Sequence, residues 1–421
     1  MRGFHRSGLI LNGVVLGILL SAAPAFAVNR TWTGGGADDN WTTAANWGGT
    51  APSAGDDLFF PGPTPRLTPN NDFPAGTSFS SITFTGTGGY TLVGNAILLG
   101  GGVAANNTSG NATVQLAITM TATQNFACST PGPIDRLTIA GPVDTGGFVL
   151  TAAPASGSII NLNGVISGGG QLIQTGAGVT FVVANMTYTG ATTVNAGNFV
   201  LAGASLSPLS SVTVNGGLIQ YDNDAATGDL TAVGGTVGCE GGGTNQTGHV
   251  ANVDLQAGST LVMQMSSVTN YGQLITTGGV SLAGTLFLGF TFTSATGNAF
   301  TIISNGGGAV TGTFAGLPEG STLVANGRTY QITYVGGDGN DVVVTDITVG
   351  GPTPTPTATV VAPTATATPA GVPTVTSTPP GPTPTPGPGP VAPVPTLSTE
   401  LLVLLGMALA LVAVLLMRKS G

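Results

Sequence analysis

Four apolar phrases return along this chain at intervals too long for a hairpin ladder: LTIAG at 137–141, INLNG at 160–164, FVVAN at 181–185 and FVLAG at 199–203. They begin 23, 21 and 18 residues apart. A β-sandwich sets its strands at steps of about 8–12 residues with alternating polar faces. The longer, looser spacing suits one coil of a parallel β-helix, a solenoid whose successive coils stack. No helical period runs through residues 28–350. Short runs rich in Val, Ile, Thr, Leu and Phe take its place, bounded by Gly, Asn and Asp. Such runs read as strands; examples are Ser81–Thr85, Phe148–Thr151, Ile159–Leu162, Val212–Val214 and Gln331–Tyr334. Turn pairs punctuate them at Asn163-Gly164, Ala196-Gly197, Asn215-Gly216 and Ala257-Gly258, residue types that suit positive φ. About a dozen coils, each rising about 4.8 Å, would make a rod roughly 60 Å long. Val, Ile and Leu ladders would point inward, with Thr, Ser and Asn outward or stacked at turns.

Composition narrows the partners. Glycine is 69 of 421 residues, and charged residues are only 6% against about a quarter in ordinary domains. Between residues 28 and 350 the cations are Arg30, Arg66, Arg136 and Arg328, and the single lysine of the chain is Lys419. No basic patch exists to neutralise phosphates, so nucleic acid is excluded as a partner. The abundance of Val, Leu, Ile and Phe separates this low charge from disorder. Cys128 and Cys239 would be exported, where a bridge is permitted. Two separate buried thiols remain the alternative to a disulfide.

The ends give an address. Arg2 and Arg6 precede an apolar run at Leu9–Leu20, and Ala25-Phe26-Ala27 forms a small-residue exit. That is the layout of a secretory signal peptide over 1–27, cleaved to leave Val28 first. Residues 351–393 are a linker dense in Pro and Thr, expected as an extended, disordered stalk rising about 3.1 Å per residue where polyproline-like. An apolar run at 401–417 then ends in Arg418-Lys419. Its length reaches the lower limit for a transmembrane helix. The basic flank places Gly421 on the cytoplasmic side and the head outside.

Val394-Pro395-Thr396-Leu397-Ser398, followed by the apolar run and basic end, resembles the IPTL-CTERM sorting signals of Gram-negative bacteria. Val394 stands where that family usually has Ile, and Thr399-Glu400 stands where Glu-Trp often follows. The resemblance implies that residues 394–421 are read by an exosortase-like membrane enzyme that cleaves near the motif. In the head, GGQLIQTGAG at 169–178 followed by YTGATTVNAG at 188–197 resembles the autotransporter-associated β-strand repeat. Trp32, Trp41 and Trp47 with their Gly and Asn neighbours resemble the N-terminal segment of large surface proteins carrying that repeat. Ala299–Val344 resembles their C-terminal segment. The resemblance implies a right-handed parallel β-helix used as a surface rod rather than an enzyme. Autotransporters themselves end in a membrane β-barrel, and this chain ends in a stalk and one apolar run.

Residues with chemical potential carry two readings each. The three tryptophans would be either a sugar-stacking platform or a cap closing the open end of the coil, which solenoids need. Asp38-Asp39-Asn40, Asp56-Asp57 and Asp222-Asn223-Asp224 with Asp229 would be Ca²⁺ ligands or ordinary turn residues. The GGDGNDV run at 336–342 resembles one nonapeptide Ca²⁺ repeat, without the stacked copies such sites share. His249, the one histidine of the head, has no nucleophile elbow beside it and reads as an exposed turn residue. A polysaccharide hydrolase would need two facing carboxylates. A lyase would need a basic group the lysine-free head supplies poorly. The pattern calls for no cofactor or metal. The expectation is an all-β, right-handed parallel β-helix head over 28–350 carried on a stalk and one C-terminal transmembrane helix. Its function would be a non-enzymatic exported surface or matrix protein, structural or adhesive, contacting polysaccharide or copies of itself. The alternative is a β-helix polysaccharide-active enzyme or carbohydrate-binding module.

Overall fold

A computed structural model describes residues 27–129, 136–239 and 246–349. The Ala25 of the exit site, the linker 351–393, the sorting residues Val394, Pro395, Thr396, Leu397 and Ser398, the run 401–417 and Arg418-Lys419 lie outside them. Among the described residues no helix is long and apolar enough to cross a membrane.

The chain is a parallel β-solenoid of about 10 turns. One coil lays three short strands on three faces of the solenoid, its first, second and third sheets: Val103–Ser109, Ala112–Val114 and Ile118–Met120. The first two sheets are joined by the long strands Leu230–Cys239 and Val253–Met265. The next coil places Gln124–Cys128, Arg136–Ile139 and Val143–Asp144 on the same three sheets, each parallel to its predecessor. A single inward column on the first sheet runs Leu58, Ile82, Val103, Phe126, Ala152, Gln174, Val194, Val214, Ala232, Leu255 and Leu282. On the second sheet Val114, Ile139, Leu162, Val182, Leu201, Tyr221, Cys239 and Met263 stack likewise. Alternate side chains point in because a strand has a period of two. Thr192–Val194 and Val212–Val214 both read buried, half-exposed, buried. Cys128 and Cys239 are buried thiols on strands several coils apart, with no disulfide between them.

Two expectations need correction. The coil count is lower than a dozen because parallel stacking stops at Thr311–Gly312. At that end Ala299–Asn305, still parallel to Gln273–Thr276, pairs antiparallel with Asp341–Asp346, which pairs antiparallel with Arg328–Gly336, and that with Thr322–Ala325. This meander closes the C-terminal end. Secondly, the phrase at Phe181 is shifted by one residue. The stacked positions are Leu137, Ile160, Thr180 and Phe199, so Phe181 points outward. Thr180 enters the core because its hydroxyl donates to Gln174 Oε1 at 2.6 Å, while Gln174 Nε2 donates to the Gly176 carbonyl at 3.1 Å. Both buried polar groups are thereby satisfied, which removes the penalty they would otherwise carry. Phe181 packs outside against Ile159 and Val200.

Aromatic residues fill both ends. Trp32 and Trp47 meet edge-on at 5.1 Å, Trp41 meets Phe79 at 5.5 Å, and Phe60 stacks on Phe84 at 5.5 Å. At the far end Phe290 stacks on Tyr330 at 4.9 Å and Tyr271 meets Phe300 edge-on at 5.3 Å. The middle, which also buries Phe126, Phe199 and Tyr221, carries a buried hydroxyl chain. Tyr188 OH lies 2.5 Å from Thr192 Oγ1, which lies 3.0 Å from Ser210 Oγ. Burial pushes the Tyr188 phenol up to about 12, against the opposing pull of those hydrogen bonds.

Candidate functional surface

The outward positions of the first sheet form rows, because each coil repeats the register of the one before. One row runs Asn125, Thr151, Ile173, Thr193, Thr213, Thr231, Asp254, Ser281 and Thr311. Eight of these nine side chains carry a hydroxyl, amide or carboxylate, and Ile173 is the exception. Successive members are set about 4.8 Å apart by the stacking distance. From Thr151 to Ser281 they are half-exposed. Beside this row Asn215 Nδ2 donates to Asn195 Oδ1 at 2.9 Å, joining adjacent coils. Two positions before Thr231 and Asp254, Asn252 Nδ2 donates to Asp229 Oδ1 at 2.7 Å.

The second sheet continues the theme in part. Thr91, Thr113 and Thr138 stack, followed by Asn161, whose Nδ2 donates to Thr138 Oγ1 at 3.4 Å. The same row then turns apolar at Phe181 and Val200. Thr260 and Thr285 hydroxyls meet at 2.9 Å further along. The sheets therefore present polar rows with one charge in the first, at Asp254, and apolar interruptions at Ile173 and at Phe181 and Val200.

The charged residues sit mainly at the ends, in cap architecture. Arg30 Nε donates to Asp56 Oδ2 at 2.8 Å, and Arg66 Nη1 to Asp39 Oδ1 at 2.9 Å. Arg328 grips both oxygens of the buried Asp346, with Nη2 3.1 Å from Oδ1. Burial alone would raise the Asp346 carboxyl; the bonds from Arg328 and Thr348 win and hold it well below the carboxylate range.

The carboxylates weighed as Ca²⁺ ligands have protein partners. Asp38 caps its own turn, accepting from Asn40 N at 3.1 Å and Thr43 Oγ1 at 3.0 Å. Asp57 accepts from Ser81 Oγ at 2.6 Å. Asp341 accepts from Asn305 N at 2.8 Å, and Asn340 Nδ2 reaches the Gly307 carbonyl at 2.7 Å, so the run at 336–342 pins the end meander to the last coil. Among the described residues no group of three or more His, Cys, Asp and Glu could hold a metal ion. His249 lies on the strand Thr247–Val250 rather than in a turn, with Nε2 3.7 Å from Asp224 Oδ1. Both side chains are about half exposed. The tryptophans are buried, two of them completely, so their faces pack against protein and the capping reading holds over the sugar platform.

Sequence reasoning expected exposed Thr and Asn ladders but did not say which residues share one. The signal was present as the triplets TTV, VTV and LTA, centred on Thr193, Thr213 and Thr231 and spaced 20 and 18 residues apart. Of the exit-site residues, Ala27 and Val28 are exposed, immediately before the first strand Asn29–Thr31. Comparison with protein-family models, with curated proteins and with solved structures found no match in any of the three.

Proposed function

We propose that this chain is an exported, non-enzymatic surface rod that adheres to neutral polysaccharide along the polar rows of its first sheet. The observation that carries this reading is the in-register row from Thr151 to Thr311. A periodic row of hydroxyl and amide groups suits a periodic, uncharged partner that offers hydroxyls of its own. Each hydrogen bond contributes little net energy, about 0.5–1.5 kcal/mol, so affinity comes from many points rather than one pocket. The same scarcity of charge disfavours acidic polymers that need cationic partners.

In this reading residues 1–27 direct export, the coils wind right-handed as parallel crossovers do, and residues 351–393 hold the head off the membrane. Residues 394–421 anchor the precursor and are processed by an exosortase-like enzyme. Replacing Thr193, Thr213 and Thr231 together by Val should lower retention on insoluble neutral glucans at least about tenfold, as three lost hydrogen bonds predict. The melting temperature should stay close to that of the unaltered protein. Unchanged retention would overturn the adhesive assignment. Oligomers in sedimentation velocity that the triple variant abolishes, with no glucan retained by either form, would put a second copy in place of the polysaccharide. Pro395→Ala with Thr396→Ala should trap the full-length chain in the membrane; unchanged localisation and unchanged tail mass would reduce the tail to a plain anchor.

A further inference from the structure

We propose that removal of residues 1–27 completes the N-terminal cap, because the α-ammonium of Val28 released by that cleavage docks on the buried carboxylate of Asp56. The proposal rests on the export reading for its cleavage position and on described residues for its geometry. Val28 N lies 3.3 Å from Asp56 Oδ1, long for an amide hydrogen bond. The Val28 carbonyl accepts from Asp57 N at 3.1 Å, and Asn29–Thr31 pairs in parallel with the strand beginning at Asp57. Val28 N is thus held in place by the first rung of the solenoid.

Asp56 is 4% exposed, whereas Val28 is 47% exposed. The bond before Val28 is therefore at the surface while the carboxylate it faces is not. Asp56 Oδ2 already accepts from Arg30 Nε at 2.8 Å and Ser53 N at 2.9 Å. Oδ1 faces Val28 N. An amide offers that oxygen one neutral donor. An ammonium offers three donors and a unit charge, and charge-assisted bonds are shorter and roughly twice as strong. Burial would raise the Asp56 carboxyl, but the Arg30 bond and the Ser53 and Val28 N–H groups hold it below its usual value, so it is ionised at neutral pH.

The charged groups of this corner are Asp56, Asp57 and Arg30. Asp57 is engaged by Ser81, and Arg30 shares the Asp56 carboxylate. A docked α-ammonium has its pKa raised above the unfolded value of about 7.7–8.0. Its stabilisation is full below that value and is lost as pH rises through the folded pKa.

The test uses the chain from Val28 to Gly421 carrying Lys419→Arg. The Val28 α-amine is then its only primary amine, because Lys419 is the single lysine. Acetylation by acetic anhydride across pH reads the amine pKa directly. A rise of about one unit slows acetylation at pH 7 by about tenfold relative to a denatured control. The unacetylated chain should also melt higher than its Nα-acetylated form at pH 6, with the gap closing by about pH 11. Asp56→Asn should restore the ordinary amine pKa. If that variant does not fold, the acetylation profile of the unaltered corner still decides the matter. An ordinary amine pKa in the folded chain refutes the docking. N-terminal sequencing of the exported protein separates the premise: a start other than Val28 refutes the cleavage reading, whereas a Val28 start with an ordinary amine refutes the docking alone.

Discussion

Gly197→Ala should destabilise the solenoid by about 2–5 kcal/mol, a large share of the roughly 5–15 kcal/mol that holds a domain folded. Gly197 turns the chain from the strand Thr192–Val194 on the first sheet to Asn198–Ala202 on the second. Its φ is +67°, where an L side chain costs about 1–2 kcal/mol. A Cβ there would also stand 2.2 Å from the Gly176 carbonyl oxygen and 2.4 Å from that of Gly178. Backbone cannot swing aside as a side chain can, so overpacking adds about 1–3 kcal/mol. The position recurs in neighbouring coils. Gly217 (φ +70°) sits against Gly197 and Gly235 (φ +73°) against Gly217. Asn198 N donates to the Gly178 carbonyl, Leu218 N to that of Gly197 and Thr236 N to that of Gly217, at 2.9, 2.8 and 2.7 Å. A glycine corner is what lets one coil's backbone lie directly on the next. Gly297→Ala is the control: its φ is +92°, but nothing lies within 4 Å of the added carbon. It should show only the conformational cost. Urea denaturation of both variants reads the difference, and equal losses would mean that the corner is not closely stacked.

That corner also marks how far the sequence was legible. Positive φ was expected at Asn163-Gly164, Ala196-Gly197, Asn215-Gly216 and Ala257-Gly258. Gly197 has it, and in the next coil it falls to Gly217 rather than Gly216. Gly164 and Gly216 are required instead by closeness, since a Cβ would stand 1.9 Å from the Gly141 oxygen and 2.6 Å from the Asn195 oxygen. Such contacts join residues about twenty positions apart, and no local pattern contains them. The coil period was readable because most coils repeat inward apolar positions, with Gln174, Thr180 and Thr192 as buried polar exceptions. The exact register was not, because Thr180 and Phe181 exchange the usual sides once Gln174 offers a buried partner. Pairing direction at the C-terminal end was hidden for the same reason. Arg328–Gly336 and Asp341–Asp346 have the same alternation as the strands of the coils, and only their partners make them antiparallel. Polar ladders were expected, but their membership needed the register, whereas Arg30, Arg66 and Arg328 were visible as isolated cations whose role depended on the ends they hold.

Trp41→Ala should be the most damaging side-chain truncation, at about 3–5 kcal/mol, the range for removing a buried large aromatic. Trp41 is fully buried and touches Trp47, Phe60 and Phe79, with ring centroids 6.2, 5.9 and 5.5 Å away. Its backbone carbonyl also accepts the Trp47 indole N–H at 2.8 Å, so the two rings are fixed together. Among the described residues the first coil has a neighbouring coil on one side only, and in a stacked array a unit's stability is its own plus its neighbour interfaces. Removing the ring therefore opens the end of the hydrophobic column rather than a cavity with walls all round. Trp41→Phe should cost far less, since it keeps an aromatic ring and deletes an indole N–H that has no hydrogen-bond partner among the described residues. Leu209→Ala, at a side chain 75% exposed, should stay within about 0.5 kcal/mol. Thermal melts of the three variants separate a capping role from a sugar-stacking one. A cap predicts loss of stability in the order Trp41→Ala, Trp41→Phe, Leu209→Ala. A sugar platform predicts a native melt for Trp41→Ala with lost retention on glucan, and that result would remove the tryptophans from the cap.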